Sequence, residues 1–178
     1  MKRMTFAPLA VVLAVAPVAV AAQANLTGER AAMLAQLDDA ASKLAQLADA
    51  IGQDKYGWRP AAGVRSVSEL LMHVTGGNYY VLTFAGVQPT KQLPQNAETA
   101  VTDKAQVAAA LKESFDHARN AIRGVADADL SKPATMFGQQ TTVRNVYFTV
   151  VTHAHEHLGQ LIAYARSNGV VPPWSRGM

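Results

Sequence analysis

An all-α domain of four helices is the fold class this sequence predicts, and three observations predict it. Four segments repeat apolar residues at intervals of three and four, whereas no stretch reads convincingly as a strand. Capping residues and terminators stand where each periodic segment begins and ends. A leader of 24 residues taken from a chain of 178 leaves 154, the usual size of one domain around one hydrophobic core.

The first helix is expected from about Thr27, a plausible N-cap, to Ile51. Leu34, Leu37, Leu44, Leu47 and Ile51 form its apolar stripe and Gly52 ends it. A loop containing Trp58-Arg59-Pro60 follows. The second helix opens at Ser66-Val67-Ser68-Glu69, where serine and glutamate have capping-box spacing, and should reach about Phe84. Between Gly86 and Asn96, Pro89 and Pro94 impose a long connection, so the next helix need not be the adjacent antiparallel one. The third helix should run from about Thr102 to Val125 with Val107, Leu111, Ala118, Ile122 and Val125 inward. The stretch from Ala126 to Thr141 reads as irregular. Thr142 caps a fourth helix that ends before Asn168-Gly169, and Pro172 and Pro173 prevent its continuation.

Met1-Lys2-Arg3, an apolar run from Phe6 to Ala22, and the small-x-small sequence Ala22-Gln23-Ala24 have the form of a secretory signal peptide cleaved after Ala24. A retained membrane anchor is the competing reading. Pro8 and Pro17 interrupt its helix and no basic stop-transfer cluster follows it, so the mature chain, residues 25–178, is expected in a bacterial periplasm without stable membrane insertion. The formal net charge of +3 includes Lys2 and Arg3. Without them 14 basic residues face 13 acidic ones, which leaves +1 and no basic stripe for nucleic acid. The chain contains no cysteine, which excludes disulfides, thiolate metal ligands, a cysteine nucleophile and a lipid-anchored leader.

Chemistry must then come from polar groups that packing forces inward. On the second helix Leu70, His73, Val74, Gly77, Val81 and Phe84 follow helical spacing, which puts His73 on the buried stripe. On the fourth, Val146, Val150, His153, His157, Leu161 and Tyr164 do the same, so two imidazoles lie one turn apart on the core-facing side. Three neutral imidazoles can hold zinc, iron, nickel or copper and leave at least one coordination position open. Without His73, the pair would read as a surface coincidence or a satisfied core pair. His155 points about 200° from His153 and His117 lies off its helix's inward stripe, so both read as surface histidines. Glu156, Gln160 and backbone carbonyls are candidates to orient the ligand rings. As a general acid or base Glu156 is poorly placed, about 60° from the centre of the stripe. Tyr79, Tyr80, Phe84, Tyr147 and Phe148 read as core or rim aromatics, some able to line a pocket beside an ion. Trp58 and Trp174 read as packing caps at helix ends.

The run Trp58-Arg59-Pro60, then Arg65 to Val74 with His73, then His153-Ala154-His155-Glu156-His157-Leu158-Gly159-Gln160-Leu161, and finally Gly169 to Pro173 resembles the DinB-like superfamily of damage-inducible proteins over the whole mature chain. The resemblance implies a four-helix bundle of up-down-down-up connectivity. It implies a divalent metal, zinc or nickel and less often iron, held by His73, His153 and His157. Metal-dependent hydrolysis, or transfer involving a low-molecular-weight thiol, is the activity it suggests, with a homodimer formed through helix faces. Leu158 stands where a basic residue often precedes the Gly-Gln pair, and the export signal weakens the thiol analogy. The resulting expectation is an exported, metal-dependent enzyme acting on a small molecule, with a non-catalytic periplasmic module for a metal or small ligand as the alternative.

Overall fold

The computed structural model describes residues 26–177; the leader expected at residues 1–24 lies outside them. Four long helices dominate: α1 (Gly28–Ala50), α2 (Val67–Thr83), α4 (Lys104–Gly124) and α5 (Val143–Ser167). A single-turn helix α3 (Ala97–Ala100) interrupts the connection between α2 and α4, and a two-stranded hairpin, β1 (Pro133–Met136) and β2 (Gln139–Thr142), precedes α5. No helix among the described residues is long and apolar enough to cross a membrane.

Three of the four long helices start where the sequence supplies an oxygen for orphan backbone donors. Ser66 Oγ accepts from the Glu69 amide at 3.3 Å while the Glu69 carboxylate accepts from the Ser66 amide at 2.8 Å, so the capping box is complete. Asp103 caps α4 and Thr142 caps α5 by the same bond to the third residue onward. Thr27 stands at the N-cap of α1 without such a bond.

The cross-helix contacts fix the topology. α1 packs against α4 and α5, and α2 packs against the same two, so the consecutive helices α1 and α2 face each other across a diagonal. Arg144 reaches Glu29 and His155 donates to the Gln36 carbonyl, which makes α5 parallel to α1. Arg119 pairs with Asp38 and Lys104 reaches Asp49, which makes α4 antiparallel to α1. Tyr164 meets Arg65 and His153 meets His73, so α2 opposes α5. The result is up, down, down, up. The diagonal step requires the chain from 51 to 66 to cross the end of the bundle. Buried Tyr56 anchors this crossing by donating its hydroxyl proton to the Ala48 carbonyl at 2.7 Å.

The core consists mainly of the predicted stripes: Leu37, Leu44 and Leu47 of α1, Leu111 and Ile122 of α4, Val146, Val150 and Leu161 of α5 are all buried, whereas Leu34 and Val125 are only half-buried at its margins. Three features depart from the expectation. The segment read as irregular contains the hairpin, whose strand residues are half-buried at most. α3 lies between the connection expected to end at Asn96 and the helix expected from about Thr102, a stretch to which no element is assigned. His117, expected at the surface, is 5% exposed, because the connection after α2 folds over it with Thr90 and the Tyr79 ring lies 5.0 Å away.

Candidate metal centre

The three histidines selected from periodicity meet between α2 and α5. His153 Nε2 lies 3.2 Å from His73 Nε2 and 3.1 Å from His157 Nε2. One ligand atom from each falls within 4.8 Å of the others. His73 is 29% exposed rather than buried, because it sits where the inward stripe of α2 meets a half-exposed edge formed with Glu69, Gly76, Gly77 and Tyr80. The cluster is therefore reachable from solvent along this edge.

What surrounds the rings decides which nitrogen faces inward. His73 Nδ1 donates to Glu98 Oε2 at 3.2 Å, and Arg65 Nε donates to Glu98 Oε1 at 2.5 Å. His157 Nδ1 donates to Gln160 Oε1 at 2.9 Å, Gln160 Nε2 donates to the Tyr164 hydroxyl at 2.8 Å, and that hydroxyl donates to the Arg65 carbonyl at 3.2 Å. Both chains of bonds end on Arg65, one at its guanidinium and one at its backbone. The Tyr164 ring is held edge-on against Trp58, 5.3 Å between centroids, so the tryptophan read as a packing cap also fixes the far end of the His157 chain. With their protons spent on Nδ1, His73 and His157 present Nε2 lone pairs to the shared point.

His153 is placed by shape. Gly77 faces it across the seam, where a Cβ would lie 2.4 Å from His153 Cε1 and 2.9 Å from Nδ1. No larger residue fits without displacing the ring. His153 Nδ1 is buried without a hydrogen-bond partner. Burial pushes the His153 pKa down to about 4, helped by the neighbouring His157, His73 and Arg65 charges. Burial also lowers that of His73, with Arg65 adding to it and Glu98 opposing it.

Lone pairs converging at 3.1–3.2 Å repel one another unless a proton or a cation lies among them. Burial disfavours a second proton on His153 and His73, and a neutral His153 carries its one proton either on Nε2, between the other two rings, or on the unpartnered Nδ1. In the second tautomer the donor set fits a divalent cation: three neutral nitrogens, two of them oriented by outer partners. The expected partner Gln160 is present. Glu156 is not, since it is exposed and points away, and its place is taken by Glu98 from α3. His155 is half-buried against α1 rather than free at the surface. Glu98 and Gln160 line a cavity of about 550 Å³ with Arg59, Arg65, Glu69 and Thr99. A roomier groove of about 690 Å³ lies between α1 and α4, and the three histidines line neither of these two spaces.

The family profile described as the DinB superfamily matches residues 36–161. Among solved structures, a DinB-like protein from Bacillus cereus ATCC 10987 superposes with a TM-score of 0.69 at 17% identity, over 79% of this chain and 93% of that one. The DinB-like protein YjoA from Bacillus subtilis gives 0.63 at 17% identity over 79% and 94%. YfiT from Bacillus subtilis, described as a probable metal-dependent hydrolase with an unusual four-helix bundle topology, gives 0.64 at 15% over 83% and 93%. These likenesses establish the fold. No curated protein matches the chain.

Proposed function

Because the chain belongs to the DinB superfamily and gathers three imidazole nitrogens at one point, we propose that it is an exported, divalent-metal-dependent hydrolase of small molecules. His73, His153 and His157 hold the cation. Zinc or nickel suits three neutral imidazoles, and the leader-like N-terminus assigns the protein to the periplasm. A divalent cation held by these three rings would supply Lewis acidity for hydrolysis at neutral pH.

The chain's own groups give the site its form. Glu98 and Gln160 hold the Nδ1 protons of His73 and His157 and so keep both Nε2 atoms available. Gly77 leaves room for the His153 ring, and the half-exposed edge of α2 admits substrate. Among the described residues, Glu98 is the one carboxylate hydrogen-bonded to the triad. Its second oxygen is engaged by Arg65, so it positions a ligand rather than serving as a free base. The hydrolase assignment over thiol transfer draws support from the activity ascribed to YfiT and from the expected export, since low-molecular-weight thiols are mainly intracellular.

The observation that carries this reading is the mutual approach of three Nε2 atoms whose outward nitrogens are engaged or sterically fixed. Elemental analysis of protein from its native compartment should find one divalent cation per chain, absent from the His157→Ala variant. The loaded protein should then turn over members of a panel of esters, amides and thiol acceptors. Turnover equal in wild type and His157→Ala rejects a metal-dependent enzyme. Stoichiometric metal with no turnover of any panel member supports the non-catalytic binding module instead.

A further inference from the structure

The half-exposed edge of α2 that carries His73 runs on to an exposed aromatic cluster. Tyr80 lies seven residues beyond His73, two turns on the same edge of α2, which places it about 10 Å along the helix axis. Its ring packs against Phe84 at 5.2 Å, and Phe137 packs against both, at 5.0 Å from Phe84 and 6.2 Å from Tyr80. Tyr80 is 57% and Phe137 58% exposed, so the cluster is far from buried despite being apolar. Between it and His73 the edge of α2 carries only Gly76, where a Cβ would meet nothing within 4 Å, and Gly77, which the His153 ring covers.

Phe137 arrives by an unfavourable route. Met136 and Gln139 pair across the hairpin, so Phe137 and Gly138 form a two-residue turn, with φ of 51° and 78°. This turn type takes Asn-Gly or Gly-Gly readily, and a bulky residue at its first position is strained. The ring is not repaid by burial, since most of it faces solvent. A strained backbone that delivers an exposed aromatic ring to the approach of a metal-ligand cluster points to recognition rather than packing.

We propose that Tyr80, Phe84 and Phe137 form a subsite for the aromatic or extended apolar group of a small molecule whose polar end reaches the triad. This rests on the metal-site reading above and adds the substrate class: an amphiphilic compound with its reacting group and its apolar group separated by about 10 Å, the two-turn spacing of His73 and Tyr80.

Hydroxamates bearing different tails separate the two readings. On the Zn²⁺-loaded protein, calorimetry should show 4-phenylbutyrohydroxamate binding at least tenfold tighter than acetohydroxamate. In Tyr80→Ala and Phe137→Asn that ratio should fall below threefold, with acetohydroxamate affinity unchanged within twofold. Phe137→Asn should also melt at or above the wild-type temperature, because asparagine suits the turn. Acetohydroxamate binding without a gain from the phenyl tail overturns the subsite while leaving the open metal position intact. Failure of acetohydroxamate to bind the loaded protein rejects the open position itself, and the subsite with it. A clear drop in melting temperature for Phe137→Asn assigns the ring to packing and also overturns the subsite.

Discussion

A glycine inside a helix costs about 0.5–1 kcal/mol relative to alanine, yet α2 retains one at position 77, opposite His153. Gly77→Ala gains helix propensity and drives a methyl group into the imidazole, an overpacking cost of about 1–3 kcal/mol if the ring stays and less if it swings away. The expected outcome is a melting temperature changed by a few degrees and a metal affinity reduced roughly tenfold or more, as for other misoriented ligands. Thermal denaturation and chelator competition measure the two separately. His117 offers a contrasting case, a histidine away from the triad that burial keeps neutral by lowering its pKa from 6.5. The Tyr79 ring and the Thr90 hydroxyl lie against it, and the acids Glu113 and Asp116 stand on its own helix, with Lys91 of the connection paired to Glu113. The unfolded chain takes up a proton at position 117 as pH falls below 6.5 and the native state resists it, so stability present above that pH is lost below it. Melting temperatures measured from about pH 7 to about pH 5 should fall less steeply for His117→Leu than for the wild type. Equal slopes would show that His117 is not held neutral.

Among the elements, the shortest carries the least obvious function. α3 is a single turn, yet it delivers Glu98 to His73 Nδ1 and Arg65. Glu98→Gln keeps the shape and removes the charge that orients and polarises the ligand. A loss of roughly 10–100-fold in metal affinity is expected, with little change in the melting temperature of the metal-free protein. Unchanged affinity would reduce Glu98 to a surface ion pair. The contrast between α3 and α5 shows what the sequence makes legible. His153, His157 and Gln160 share one long helix whose period fixes their relative directions, and His73 is located by a capping box seven residues upstream. Glu98 has no such frame: four residues show no periodicity, and their placement depends on the path of the whole connection. The hairpin escapes for a related reason, because its strands bury no alternating face and Phe137-Gly138 lacks the usual Asn-Gly signature. His117 is buried where the period of its own helix predicts exposure, because its cover comes from Thr90 of the connection and from the Tyr79 ring, neither of which that period encodes.

For the whole molecule, a cation that binds only the assembled triad adds its binding free energy to folding. At a hundredfold excess over Kd this is about 2.7 kcal/mol, and for a domain of this size roughly 2–4 °C accompanies each kcal/mol. Chelation should therefore lower the melting temperature by about 5–10 °C in the wild type and by almost nothing in His157→Ala. An equal effect on both would place the bound ion elsewhere. The diagonal arrangement of α1 and α2 has a further consequence. The triad and its supports come from α2, α3, α5 and the segment that leads into α2, while α1 and α4 share their own interface on the far side. Loading the protein should therefore protect backbone amides unevenly. Those that exchange with deuterium only when the α2–α5 seam parts should slow, whereas those released by fraying of α1 or α4 should keep their rates. The cation would act as a rivet through one seam and leave the opposite half of the bundle free to breathe.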